Sequence, residues 1–208
     1  MRFYVKDGIE YVSVTTAINL AGFGPNMTCV DPAARRYSLQ RGRVVHTACE
    51  FIDLDVLDYA SVDPKIEGYV RSYEKMLAHC DIKVIAVEKE MLSKRLMVGC
   101  KPDLVCFLNG TRTVLERKTG SASNAYARLQ TAGQLLVWND LHPSEQVYAR
   151  FGLELKGDGG FARLIPHKDP EDILAFQEIL RYVQAEERLA FWRLKYGLVR
   201  QVEEVNSR

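Results

Sequence analysis

No stretch of this chain approaches the roughly 18 continuous apolar residues that a membrane-spanning helix needs, so no span is expected. Cys-x-x-Cys is absent, and the five cysteines (Cys29, Cys49, Cys80, Cys100 and Cys106) are an odd number, which argues against a complete disulfide framework. Cys49, Cys100 and Cys106 stand within apolar patterns and read as small buried hydrophobes. The opening residues, Met1 to Asp7, carry no apolar signal core. A reducing, cytoplasmic location is the expectation. Neither sign of charge is in excess: 28 Lys and Arg face 27 Asp and Glu, a net of +1. A phosphate-bearing partner would therefore have to be met by a local patch, since the molecule has no global positive field. Internal repeats, low-complexity tracts and linkers that would divide the 208 residues are also missing, and one domain over 1–208 is expected.

What is present is an ordinary globular composition, 47% hydrophobic and 26% charged. Alternation around Lys6-Asp7-Gly8 predicts a small hairpin over 2–13. Ser13 can cap a short helix that ends near Gly22, and Gly22 to Thr28 reads as a loop. Asp31-Pro32 offers an N-cap with proline at the first helical position, predicting helix to about Asp55 with a break near Gly42. Asp63-Pro64 repeats that signal, and Ile66, Tyr69, Val70, Tyr73, Met76 and Leu77 share one face of a helix over 64–79. Strands are predicted over 82–90, 96–108 and 111–118, then a helix over 123–139 and a strand near 146–155. A Gly157–Gly160 turn leads to a return strand over 161–165, and Asp169-Pro170 opens a last helix ending near Gly197. This order points to one α/β or α+β unit.

The chemistry is concentrated at one turn. Asn109-Gly110 lies between Cys106-Phe107-Leu108 and Thr111-Arg112-Thr113-Val114-Leu115. Asn-Gly is a strong hairpin signal, because a type I′ turn needs positive φ at both central residues. With that turn Leu108 opposes Thr111, and stepping outward along both strands brings Asp103 opposite Glu116. Opposed side chains project from one face with Cβ atoms about 4.5–5.5 Å apart, and two such carboxylates repel unless a cation or a shared proton lies between them. The two-residue period puts Lys118 on the face of Glu116 and turns Arg117 away. A solvated sheet face would also carry such charges, but the apolar neighbours Val98, Leu104, Val105, Phe107, Val114 and Leu115 imply burial, where an uncompensated acid is costly. A hard divalent cation supplies compensation.

Pro102-Asp103 followed by Glu116-Arg117-Lys118 resembles the bipartite Pro-Asp…(Asp/Glu)-x-Lys signature of the nuclease superfamily named after it. Gly42-Arg43-Val44-Val45-His46, with Glu50 one turn later, resembles the upstream Gly…His…Glu helix of its RecB-type and phage-exonuclease branch. Lys118-Thr119-Gly120 is similar to the Lys-Thr-Gly that closes the catalytic strand, and Tyr126 with Gln130 to the Tyr…Gln element of the next helix. Gln134 stands where the family often has tyrosine. The resemblance runs over 42–138, with a family-like core over about 42–155.

That resemblance implies an α/β fold with a restriction-endonuclease-like core: a mixed central sheet flanked by helices, here with an N-terminal hairpin and helices and a long C-terminal helix. It implies Mg²⁺ or Mn²⁺ held by His46, Asp103, Glu116 and the main-chain carbonyl of Arg117, with Lys118 activating water and Gln130 positioning substrate or the lysine. Glu50 then binds metal through water, orients His46, or is simply solvated. Without the resemblance His46 reads as an ordinary surface or core histidine, and Gln130 and Gln134 as solvent-facing. Tyr126, Arg128, Lys94 and Arg95 are the candidates for contacting nucleic acid, although each cation taken singly reads more readily as ordinary surface charge. Tyr69, Tyr73 and the Phe191-Trp192 pair read as packing. No cysteine follows Lys118, so no iron–sulfur cluster is expected. The activity implied is hydrolysis of DNA, an exonuclease in recombination, repair or processing that works on a single- or double-stranded end, alone or with a recombination or replication protein. A structure-specific endonuclease and a non-catalytic nucleic-acid binder on a degenerate nuclease fold are the rivals.

Overall fold

A computed structural model describes residues 3–24 and 30–195, apart from the side chains of 192–194. The N-terminal hairpin forms as the alternation predicts, from β1 (Phe3–Lys6) and β2 (Ile9–Ser13), reversing through positive φ at Asp7 and Gly8. Ser13 then caps α1 (Val14–Leu20), its hydroxyl accepting from the Thr16 amide. Part of the loop predicted after Gly22, residues 25–29, lies outside the described residues.

Asp31 and Pro32 open α2 (Pro32–Asp53), with the Asp31 carboxylate accepting from the Ala34 amide. No break occurs at Gly42. A glycine inside a helix costs only about 1 kcal/mol against alanine, and burial of Val45, Ala48 and Cys49 outweighs it. Asp63-Pro64, in contrast, starts a turn and not a helix: the Asp63 carboxylate accepts from the Lys65 amide, and α3 (Glu67–His79) begins three residues later than its signal, without a side-chain cap.

One of the predicted strands is cut in two, and one strand was not predicted. The 82–90 run yields β3 (Ile82–Val87), a short β4 (Met91–Ser93) follows beyond it, and the 96–108 run yields β5 (Val98–Cys100) and β6 (Leu104–Leu108). The members of each pair, β3 and β4, β5 and β6, belong to different sheets. One sheet has the order β1-β2-β5-β4, the other β3-β6-β7-β8-β9, where β7 is Thr111–Lys118, β8 Ala149–Glu154 and β9 Arg163–Pro166. Both are mixed, with parallel pairs at β2–β5 and β7–β8. The chain therefore passes from sheet to sheet at Glu88–Glu90 and again at Lys101-Pro102-Asp103. Pro102 has no amide to offer a ladder, and Glu88 takes a positive φ of 45°. Gly99 is required on the second sheet, since a Cβ there would come within 2.6 Å of Leu92 and Tyr4.

The α4 helix (Ala125–Leu141) joins β7 to its parallel neighbour β8, and α5 (Glu171–Lys195) is the last described element. On one side of the five-stranded sheet, α1, α4 and α5 bury Ile18, Leu129, Trp138, Phe176 and Leu180 with Val105, Val114 and the second sheet's Val12 and Val98. On the other, α2 and α3 bury Val45, Val70, Tyr73 and Met76 against Leu104, Cys106, Leu115 and Leu153. Over the described residues the fold is thus α/β, with two mixed sheets and five α-helices. Cys49, Cys100 and Cys106 are buried free thiols, as their patterns imply. Phe191 is not packing: 65% of it is exposed. Among the described residues no helix is long and apolar enough to cross a membrane.

One polar knot inside this frame makes stability depend on pH. His167, only 4% exposed, lies between the Thr131 hydroxyl and the Ala122 carbonyl, both at 2.8 Å. Burial holds its pKa below the ordinary value, against the pull of the Ala122 carbonyl and with help from the Arg150 charge. The unfolded chain, titrating near 6.5, then takes up a proton that the native state resists. His167 stabilises the fold fully above about pH 6.5, and that contribution is lost as the pH falls toward the lowered native value. The raised pKa values of His46 and Glu88 act in the opposite sense over this range, so the measurement is the difference between variants. Between pH 7.5 and 5 the urea midpoint of His167→Asn should lose less, or gain more, than that of the wild type, whatever its effect at pH 7.5.

Candidate metal centre

The turn at Asn109-Gly110 has φ of 49° and 80°, and β6 and β7 pair Leu108 with Thr111 and Leu104 with Leu115. This is the register the Asn-Gly signal predicts. Asp103 follows one step beyond the last ladder pair, where the chain leaves for the other sheet. Its carboxylate continues the pairing that its main chain abandons: Oδ2 accepts from the Arg117 amide at 2.7 Å. The Arg117 guanidinium returns on the other side and donates to the Asp103 carbonyl at 2.6 Å. Asp103 is 5% exposed and Glu116 3%, and both line a cavity of about 250 Å³ between the sheets.

Arg117 itself points to the opposite face, as the period requires. It is fully buried, pairs with Asp53 of α2 at 2.8 Å and lies over the Tyr73 ring of α3. The Tyr73 hydroxyl donates to the same Asp53. One cation thus ties α2, α3 and the Asp103 crossing together, and α2 brings His46 to the cavity. His46 Nδ1 lies 3.1 Å from Asp103 Oδ1. The Asp103 charge raises the His46 pKa despite its burial. Burial alone would raise Asp103, but His46, Arg117 and Lys118 together hold its carboxyl well below the ordinary carboxylate range.

A third acid completes the group, and sequence reasoning missed it. Glu88 lies at the other crossing between the sheets, directly beside Asp103, and its amide donates to the Asp103 carbonyl at 3.3 Å. One donor atom each from His46, Glu88 and Asp103 fall within 4.8 Å of one another. Burial, and then the negative charge of Asp103, push the Glu88 pKa up to about 7, the response of an acid forced against another acid. Lys101 answers that charge at 2.9 Å. Two carboxylates and an imidazole suit a hard divalent cation such as Mg²⁺ or Mn²⁺. The 3.1 Å separation of His46 and Asp103 matches the roughly 3.0 Å between two ligands at right angles on an ion with bonds of about 2.1 Å.

Glu116 is placed differently from the ligand expected of it. It lines the cavity but stands outside the close group, and both its oxygens are engaged. Oε1 accepts from Lys118 Nζ at 2.9 Å and from the Gln130 amide, and Oε2 from the Gln134 amide at 2.8 Å. Gln130 Oε1 in turn accepts from Lys118 at 2.8 Å. Glu116 and then Asp103 raise the Lys118 pKa, although burial opposes its charge, so the lysine is a cation. Gln134 is therefore no solvent-facing residue: it is 2% exposed, four residues after Gln130 and reaching the same carboxylate. That spacing was the available signal. The Arg117 peptide that was expected to offer a carbonyl continues the parallel ladder opposite Leu153.

A second, more open cleft of about 620 Å³ runs between α2 and the Lys118–Ser121 segment, and it shares His46, Glu88 and Lys101 with the first. Gly42 and Glu50 line it, with Thr119 and Gly120 opposite. Of the candidates for nucleic-acid contact, Tyr126 is near, half-buried and within reach of the Lys118 and Glu116 charges. Arg128 is not available in the same way, being held by Asp172 at 2.6 Å and Asp169 at 3.0 Å. Arg95 pairs with Asp140, and Lys94 is exposed beside it; neither lines either cleft. No family model matches this chain, and no curated protein matches it.

The geometry makes two demands that can be measured. Arg117→Ala leaves Asp53 buried without its cation and should cost about 3–5 kcal/mol in urea unfolding. Calorimetric titration with Mn²⁺ should give one saturable site in the wild type, abolished by Asp103→Asn and weakened at least tenfold by Glu88→Gln. Unchanged affinity in the Glu88 variant would remove that residue from the ligand set.

Proposed function

We propose that this chain is a metal-dependent nuclease of the Pro-Asp…(Asp/Glu)-x-Lys superfamily, in its RecB-type branch, cleaving phosphodiester bonds in DNA, with attack from an end favoured. The observation that carries this reading is the convergence, at one seam between sheets, of the His46–Glu88–Asp103 group with a lysine held by Glu116 and Gln130. The order of an antiparallel β6–β7 hairpin, the α4 crossover and a parallel β8 supports a restriction-endonuclease-like core. A purely binding surface has no use for carboxylates facing a phosphate, which favours catalysis over the degenerate-binder alternative.

Each group has a task in such a reaction. Asp103, fixed at both ends by Arg117, with His46 and Glu88, would hold Mg²⁺ or Mn²⁺. That ion supplies Lewis acidity, lowering the pKa of a water and polarising the phosphoryl group. Lys118 presents N–H donors from a position that Glu116 and Gln130 fix beforehand, so its charge meets the charge developing on phosphate without reorganisation. Gln134 steadies Glu116 from the far side. Glu116 thus sets the lysine's place and charge and stays within the same cavity as Asp103. The chain's near-zero net charge is no obstacle, because compensation is local.

End-labelled single- and double-stranded DNA should lose label in Mg²⁺ or Mn²⁺ and stay intact with chelator. Asp103→Ala should abolish the reaction, and Lys118→Ala should reduce its rate about 10²–10³-fold, the typical loss of one preorganised donor. Linear substrate consumed while covalently closed circles persist marks an exonuclease. DNA bound but uncut across both metals would leave only the binder.

A further inference from the structure

The α2 helix carries an exposed feature that the metal chemistry does not use. Beside the open cleft lies a second pocket of about 300 Å³, apolar in its walls, formed by Val44, Ala48 and Phe51 of α2 and by Leu57, Val62 and Ile66 of the segment leading to α3. The two depressions are adjacent, with Arg43 and Thr47 lining both. Val44 is 43% exposed and Phe51 41%, so the apolar wall of this pocket is open to solvent beside the charged cleft. Arg43 forms no ion pair among the described residues, although it stands on the ridge between an acidic cluster and an apolar hollow. Ser61 and Asp63 add polar groups at the rim.

Resting on the nuclease reading, we propose that this ridge binds single-stranded nucleic acid, with one unstacked base in the Val44–Phe51–Leu57–Val62 pocket and the backbone crossing Arg43 into the metal cleft. A flat apolar face with an aromatic wall accepts any base by stacking, and rim polar groups meet its edge. A free guanidinium between pocket and cleft meets the phosphate. Arg43, Thr47 and Phe51 recur every four residues along one face of α2, so the pocket adjoins the cleft that His46 lines. The base pocket therefore serves a nucleotide near the metal cleft. A duplex cannot use it, because its bases are stacked and paired and would have to be extruded.

The test is fluorescence anisotropy with labelled oligothymidylate and a labelled blunt duplex, in chelator so that nothing is cut. The wild type should bind the oligothymidylate more tightly than the duplex. Phe51→Ala should weaken oligothymidylate binding roughly 5- to 100-fold and leave duplex binding within twofold. Arg43→Gln should weaken it and reduce the slope of log affinity against log salt by about 0.7. Both residues are exposed, so circular dichroism should show the variants folded. Oligothymidylate affinity within twofold of wild type in both variants overturns the proposal, as does an equal loss on duplex. So does a Phe51→Ala change in sedimentation with binding unmoved, which would make the pocket a protein contact. Cleavage by the wild type is scored separately: cutting that ignores Phe51 and Arg43 sinks this proposal alone, whereas Phe51-dependent binding without any cutting sinks the nuclease reading alone.

Discussion

The buried guanidinium of Arg117 is the constraint on which the other features rest. It donates to the main chain of Asp103, pairs with Asp53 and lies over Tyr73, so a crossing between sheets, the end of α2 and the middle of α3 share one cation. Its own amide secures the Asp103 carboxylate. The α2 helix that carries His46 to that carboxylate is pinned at Asp53, seven residues further along. Burying an ion pair rarely adds stability over a well-packed apolar substitute. The gain here is positional: the acid stays ionised and immobile at a place where the backbone has left its ladder.

Alternation along β7 separates the two roles. Arg117 faces α2 and α3, where it organises; Glu116 and Lys118 face α4, where Gln130 and Gln134 receive them. A single strand thereby sends the Arg117 charge to one side and the Glu116 and Lys118 charges to the other, with apolar Val114 and Leu115 doing the same for the two cores. The glutamines matter because they are neutral. They satisfy the Glu116 oxygens without cancelling its charge, and so leave Lys118 with a carboxylate partner.

How much of this could be read beforehand follows from the range of the forces involved. The Asn109-Gly110 reversal is local, needing only two positive φ angles, and it set the register of β6 and β7 correctly. The capped starts of α1 and α2 are local too. Glu88 was hidden because its partnership depends on a bulge: β3 pairs with β6 in one register through Val84 and in a register shifted by one from Ala86 onward. Such a slip exchanges the faces of everything beyond it, and no residue type in Ile82–Val87 announces it. The division of 96–108 between two sheets was likewise invisible, because Val98–Cys100 and Leu104–Leu108 are equally apolar, and only Pro102 hinted at a break. Arg128 looked like a free surface cation because Asp169 and Asp172, which hold it, are distant in sequence and arrive only when α5 docks.

The seam position explains why acids can gather there at all. Inside either sheet, Asp103 and Glu88 would face apolar neighbours above and below, and desolvation would neutralise them. At the crossings the chain turns away from both ladders, and the cavity that opens there is lined by Lys101 and His46 beside the acids. The two apolar clusters lie on either side of this line and contain none of its charged side chains. Packing energy is therefore concentrated where no chemistry is asked of it. Substitutions at His46, Glu88 or Lys118, each partly open to solvent, fall on the polar, cavity side of this division. Those at Arg117, Leu104 or Leu115 fall on the side that holds the molecule together.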